Sequence, residues 1–236
     1  MPKVSIITLC PERYEHYLPE CAASIEAQTY RDFQWVVVYI GPQHNVARVA
    51  DIVSAVKPDA PAFGSETAID WLVHPIDPDP GISTARNGGL ALASGEYITM
   101  FDADDKLRPT FLEKLVAKAG PKTLVCPGLQ EFENGHGCGW PTWGFSVEDF
   151  IAANRIFACT MYPRDLVQEI GWYDEVLNEL GIEDYEFWIR AVKAGYKVEI
   201  VPEILFDYRV HGDSHTARHK HLDKERFEYV RRKHAR

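Results

Sequence analysis

The sequence predicts an α/β fold built on a mostly parallel sheet with helices on both faces. Short apolar runs alternate with helical spacings through the first half of the chain. The runs are apolar almost throughout rather than at every second position, as in FQWVVVYI at 33–40. Strands buried on both faces read that way, and parallel strands need helical crossovers between them. A third observation places the ligand. The run Tyr97–Phe101 ends abruptly in Asp102, Asp104 and Asp105, and parallel sheets bind ligands beyond the carboxyl ends of their strands.

In chain order, Val4–Leu9 reads as the first strand and Pro11–Gln28 as a helical stretch. Phe33–Ile40 is a strand closed by Gly41-Pro42, Asn45–Val56 has helical spacing, and Asp70–Pro75 contains a short strand. Ile82–Ala93 is a helix with Ser83 as a suitable N-cap. The Tyr97 strand follows, then a helix from about Pro109 to Ala119 and a strand at Lys122–Cys126. Gly128–Phe145, with Gly135, Gly137, Gly139 and Gly144, reads as loop. Ser146–Asn154 is a helix whose Ser146 and Asp149 form a capping-box-like pattern. Ile156–Met161 is a strand, Pro163 opens a helix, and Asp184–Ala194 is a helix ended by Gly195. Lys197–Ile200 and Ile204–Val210 are the closing strands. The expected organisation is one domain: a sheet half over 1–127, a less regular half over 128–216, and a basic tail or helix over 217–236.

A net charge of -10 argues against nucleic-acid binding, which needs a basic face. Five scattered cysteines with no CxxC pair read as reduced thiols rather than disulfides or a zinc set. Val4–Cys10 is too short and too weakly flanked for a signal peptide, and no run reaches the length of a membrane span. The expected setting is therefore cytoplasmic. From Ala217 to Arg236, however, eight Lys and Arg face three acidic residues. That segment reads first as a solvated terminal helix or frayed tail. Its second reading is a peripheral contact for the anionic inner face of a membrane.

Several places carry chemistry. Asp102, Asp104 and Asp105 repel one another, and each loses hydration near a core. A hard cation such as Mg²⁺ or Mn²⁺ relieves both problems and keeps positions open for phosphate, whereas a plain polar turn is the alternative. Arg86, in the first turn of a helix opened by small residues, suits a phosphate or else a structural carboxylate. Glu183 and Asp184 precede an apolar stripe of Tyr185, Trp188, Ile189 and Val192 that fixes their helix. A carboxylate so aimed serves as a general base or simply complements the helix dipole. His211, after Tyr208-Arg209-Val210, is a candidate metal ligand, with His215 and His219 at four-residue spacing. Trp140, Trp143 and Phe145 give the Cys138–Phe145 loop either a stacking face for a sugar or base, or a local hydrophobic plug.

These motifs occur in an order that resembles the family 2 inverting glycosyltransferases of GT-A fold over most of the chain. Val4-Ser5-Ile6-Ile7-Thr8 and Ser24-Ile25-Glu26-Ala27-Gln28-Thr29-Tyr30-Arg31-Asp32-Phe33 are similar to that family's first strand, helix and entry to the second strand. Gly81–Gly89, Ala93–Ile98 and Phe101-Asp102-Ala103-Asp104-Asp105 resemble its DXD region, Glu183-Asp184 its later acidic pair, and Tyr208-Arg209-Val210-His211 its closing segment.

The resemblance implies a nucleotide-diphospho-sugar donor, UDP-linked as first choice, held in the 1–127 half. It also implies Mn²⁺ or Mg²⁺ on the diphosphate and a glycan, lipid-linked or other hydroxyl acceptor in the 128–216 half, as in polysaccharide or glycoconjugate synthesis. Carried over by position, Asp104 is the principal metal ligand and His211 completes the metal–diphosphate site. Asp102, Ala103 and Arg86 lie beside the nucleotide or diphosphate. Asp184 is the base for the acceptor hydroxyl, with Glu183 next to it. One departure stands out. Family members usually carry an acidic pair and Gly-Ser after the second strand, where this chain has Tyr39-Ile40-Gly41-Pro42-Gln43-His44-Asn45. Base recognition then falls to Gln43, Asn45, backbone groups, or Pro11 and Glu12. The alternative is a weakened GT-A module that binds nucleotide or glycan without turnover.

Overall fold

The computed structural model describes residues 3–56, 70–76, 80–141, 146–178, 180–214, 217–218 and 220–235. Its strands are β1 Val4–Pro11, β2 Phe33–Ile40, β3 Asp70–Ile76, β4 Tyr97–Asp102, β5 Lys106–Leu107, β6 Thr123–Glu133, β7 Cys138–Gly139, β8 Tyr162–Pro163 and β9 Lys197–Val210. Its helices are α1 Leu18–Glu26, α2 Val46–Ser54, α3 Ile82–Leu92, α4 Phe111–Lys118, α5 Val147–Ala152, α6 Asp165–Ile170, α7 Glu183–Lys193 and α8 Asp223–His234.

Strands β3-β2-β1-β4 form a parallel sheet, closed on the β4 side by the antiparallel β8. Its register pairs Pro11 with Ile40 and Leu9 with Asp102, so these strands end close together at one carboxyl edge. Neighbouring residues of a strand point to opposite faces, and both faces are covered. Ile6, Trp35 and Val37 belong to a core with α1, α2 and α4, while Ile7, Val36, Val38 and Met100 belong to a second core with α3 and α7. This accounts for the nearly continuous apolar runs. Helix α3 lies so close to the sheet that a Cβ on Gly89 would sit 2.4 Å from Ile7 Cγ2.

A second sheet, in the order β5-β9-β6-β7, departs from the sequence reading. Strand β6 runs on to Glu133, into the stretch read as loop, and pairs in parallel with β9. Strand β9 is one element of 14 residues, not two. The register shifts between Pro127 and Gly128 and again between Gly128 and Leu129, and a bulge there absorbs Pro202, Glu203 and Leu205 without ending the strand. Other boundaries also move. Pro11 ends β1, and a 3-10 turn at Glu12–Tyr14 precedes α1. Ile156–Met161 is not a strand; Met161 makes a single bridge to Val125, and β8 follows. Pro163 closes β8 rather than opening α6, which Arg164 caps. The Ser146–Asp149 capping box forms, and Gly195 follows α7 at φ 85°.

The basic terminal segment is docked, not frayed. Val230, Arg226 and His234 of α8 are buried. His234 Nε2 lies 3.0 Å from Glu186 Oε1 on α7, and Lys233 Nζ bonds Asp174 and Glu186 at 2.7 Å. The charge-rich sequence hid this because the contacts are made largely by charged side chains across long sequence separations. All five cysteines are free, and four of them are buried.

Replacing Gly89 by Ala should lower the urea midpoint, at a cost of about 1–3 kcal/mol, because the new methyl meets a β-branched side chain that cannot swing away. An acid titration should also report on the α8 dock. Burial opposes the Glu186 charge, but hydrogen bonds from His234 and Arg190 outweigh it and hold the carboxyl down from its ordinary 4.5 to about 2. The stabilisation is complete above about pH 4.5 and is lost as pH falls toward 2. Glu186→Gln should flatten that limb of a stability-against-pH curve.

Candidate functional site

Beyond the carboxyl edge of the parallel sheet opens a cavity of about 490 Å³ lined by Arg86, Asp102, Asp104, Asp105, Glu183 and Asp184, among others. Five of the predicted site residues therefore share one cavity. His211 joins it through Asp104, with its Nε2 2.8 Å from Asp104 Oδ2. Ala103 is fully buried, and its amide donates to the Leu9 carbonyl at 2.9 Å, which locks the turn onto β1. Pro11 and Glu12 are at the end of β1, outside the lining of this cavity, where Glu12 Oε1 accepts from Asn45 Nδ2 at 3.1 Å. Gln43 is exposed beside them, and Tyr39 is fully buried in β2. His215, His219, Trp143 and Phe145 lie outside the described residues.

The three aspartates differ in their partners, with Arg209 reaching two of them. Asp105 Oδ1 accepts the Arg209 amide at 2.8 Å, and Arg209 Nε donates to the Asp104 carbonyl at 2.7 Å. The same guanidinium pairs with Glu20 and Glu133 and lies 4.3 Å from the Tyr17 ring centre. Arg209 and His211 are two residues apart in an extended segment, so they share a face. Sequence reasoning gave Arg209 no role, although the alternation in Tyr208-Arg209-Val210-His211 was the signal for it. Tyr14 and Tyr17, also missed, each stand 5.5 Å from the His211 ring centre and hold it from two sides.

Asp102 Oδ1 is buried and has no partner. Burial pushes the Asp102 carboxyl up to about 7, with Arg86 opposing and Asp104 reinforcing the shift. Burial also raises Asp104 against the His211 hydrogen bond. A cation among these groups would reverse that balance, since it favours every charged carboxylate near it. Carboxylate oxygens suit Mg²⁺ or Mn²⁺. The residues present therefore fit such an ion. Among the described residues, no group of three or more His, Cys, Asp or Glu is arranged to hold a metal. Magnesium commonly takes one or two protein carboxylates and completes its shell with substrate phosphate and water.

Arg86 is 3% exposed and donates from Nε to Glu183 Oε1 at 2.7 Å. Of its two anticipated partners, the structure shows the carboxylate. Ser83 makes no cap bond on α3. Instead, Asn178 Oδ1 accepts the Thr84 amide at 3.1 Å, and Gly81 at φ 79° leaves the space that Asn178 fills. Just before Glu183, Ile182 has φ 57°, a left-handed conformation costly for a β-branched residue. It turns the chain directly into α7. Asp184 faces the cavity, half-buried, and burial reinforced by Glu183 pushes it up to about 6.

The fold is that of the GT-A glycosyltransferases. S. aureus TarS 1–349 in complex with UDP superposes with a TM-score of 0.70 at 17% identity, covering 97% of this chain and 63% of that one. Its complex with UDP-GlcNAc gives 0.70 at 16%, covering 91% and 60%. The chain thus spans less than two thirds of those TarS structures. The family described as "Glycosyl transferase family 2" matches residues 5–171. The chain belongs to that family. Among its relatives are the amylovoran biosynthesis glycosyltransferase AmsE of Erwinia amylovora, 24% identical over 88% of this chain and 76% of that one. Another is the glucosyl-dolichyl phosphate glucuronosyltransferase of Haloferax volcanii, 28% identical over 73% of this chain and 56% of that one.

Breaking the Arg86–Glu183 pair leaves a buried charge without compensation. Arg86→Met should therefore destabilise the fold by about 3–5 kcal/mol, and the double variant Arg86→Met/Glu183→Gln should recover part of that loss in chemical denaturation.

Proposed function

We propose that the cavity transfers a sugar from a nucleotide-diphospho-sugar to an acceptor hydroxyl with inversion at the anomeric carbon. The carrying observation is that the Asp104–His211 pair and the half-buried Asp184 belong to one cavity at the carboxyl edge of a parallel sheet. Asp104 and His211, with Asp102 beside them, would hold Mn²⁺ or Mg²⁺. When bound, the cation offsets negative charge that builds on the leaving diphosphate. Asp184 accepts the proton of the acceptor hydroxyl. The freed oxygen forms a bond to the anomeric carbon from the face opposite the diphosphate, and the bond between that carbon and the phosphate oxygen breaks, with its electrons leaving on the nucleoside diphosphate. Glu183 does not share this work; tied to Arg86, it positions Asp184.

UDP is the proposed nucleotide, in keeping with the UDP and UDP-GlcNAc complexes of TarS. The Glu12–Asn45 pair and Gln43, with Pro11 at the strand end, take the place of the acids missing after β2. A glycan or lipid-linked acceptor in polysaccharide or glycoconjugate synthesis agrees with the names of the AmsE and Haloferax relatives. No helix among the described residues is long and apolar enough to cross a membrane. Exposed Lys224, Arg231 and Arg232 on α8 supply a basic surface for peripheral contact with anionic lipid.

A second reading, nucleotide or glycan binding without turnover, is favoured by the buried Tyr39 in place of an acid. The two separate in one assay. A panel of UDP-sugars with Mn²⁺ should yield UDP, and Asp104→Ala should abolish release; donor binding with no release in the native protein would establish the second reading. Asp184→Asn should lower kcat by about 10²–10⁴-fold. In the native enzyme kcat/KM should climb with pH through about 6, as Asp184 loses its proton, and level off above.

A further inference from the structure

Two cations stand among the described residues lining the cavity, Arg86 and Arg226. Arg86 is committed to Glu183. Arg226, on α8, is 5% exposed, and its guanidinium meets Asp223 through Nη2 alone. The Asp223 side chain is 46% exposed overall, but the Oδ1 that meets Nη2 is buried and makes no hydrogen bond, so this one contact leaves the rest of the guanidinium unsatisfied. Arg226 Nε is buried and has no hydrogen-bond partner. Buried donors are rarely left unpaired, and a guanidinium presents its donors as a fork that matches a two-oxygen anion.

The surroundings say which substrate meets it. Phe227, the next residue, packs edge-on against Tyr185 with ring centres 5.7 Å apart, and Tyr185 follows the proposed base Asp184. Ile156 and Phe157 line the same cavity, which gives the region flat apolar faces of the kind that receive a sugar ring. The carboxylates elsewhere on the wall repel an anion, so a negatively charged acceptor is steered toward Arg226.

We infer that Arg226 binds an oxyanion carried by the acceptor, a carboxylate or a phosphate ester on the sugar to be extended. This rests on reading the cavity as a transferase site, and it makes α8 part of the acceptor subsite. The test is equilibrium titration of the full chain with p-nitrophenyl β-glucoside, the matching β-glucuronide and the matching 6-phosphate. The charged ligands should bind about tenfold or more tightly than the neutral one, as expected for a hydrogen bond to a charged group. Whichever charged ligand binds more tightly separates carboxylate from phosphate. Arg226→Gln should erase the preference and Arg226→Lys should keep part of it. Equal affinity for all three, no binding by the native protein at millimolar ligand, or an equal fall for all three in Arg226→Gln would overturn the inference. Because binding is read without turnover, a preference for charged ligands together with no sugar transfer from any donor would sink the transferase reading and leave Arg226 as the oxyanion group of a glycan-binding cavity.

Discussion

The site depends on one buried ion pair. Arg86 on α3 and Glu183 at the start of α7 are 97 positions apart in sequence, yet their side chains meet at 2.7 Å with almost no exposure. Burying two charges is costly, and their attraction does little more than return the cost, so such a pair contributes less to stability than to uniqueness. Only one arrangement of α3 against α7 satisfies both charges. That arrangement fixes the first turn of α7, and Asp184 is turned into the cavity because its neighbour is held elsewhere. The left-handed Ile182 is tolerated for the same reason, since the structure on either side over-determines it.

The Asp104–His211 side of the cavity is held by a different device. Arg209 grips the aspartate turn through the Asp104 carbonyl while its own amide is held by Asp105. His211, two residues on, is delivered to the Asp104 carboxylate. A single strand end therefore supplies both the clamp that shapes the turn and the imidazole that completes it. The two devices meet at Asp102, whose carboxylate faces Arg86 and Glu183 on one side and Asp104 on the other. Its unpartnered oxygen is the point where the protein alone leaves the network unfinished.

Much of this was legible in the residues. Apolar strands that lack alternation gave the parallel sheet, and the aspartates at the end of β4 gave the ligand edge. The illegible parts are those in which a residue's partner is distant in sequence. Arg86 reads first as a contact for a bound anion and only second as the partner of a structural carboxylate, and the carboxylate that meets it, Glu183, is 97 positions away. Asn178 caps α3 from another loop, so the nearby Ser83 looked like the cap. Glycines in 128–139 suggested a loop because their role depends on tertiary packing: Gly128 makes room for Trp140, Gly139 for Leu129, and Gly135 and Gly137 for Glu131. Helix α8 looked solvated because its apolar contact is narrow, Val230 with Phe227 and Tyr229, and the rest of its anchor is charged groups on Glu186.

The bulge in β9 has a consequence of parity. Strand β6 has 11 residues and its partner β9 has 14, so β9 carries an odd number of residues that β6 does not match. Side chains alternate with a period of two, and an odd surplus inverts which face each later residue presents. Before the bulge, the two strands are in step. After it, β9 is in the opposite phase to the one it began with. It is this inverted phase that aims Arg209 and His211 at the aspartate turn rather than away from it. Pro202, Glu203 and Leu205, the three residues without a partner in β6, thus act together as a phase switch for the Asp104–His211 side of the site. In this chain, one residue more or fewer at that bulge would return β9 to its first phase and turn the imidazole away from Asp104.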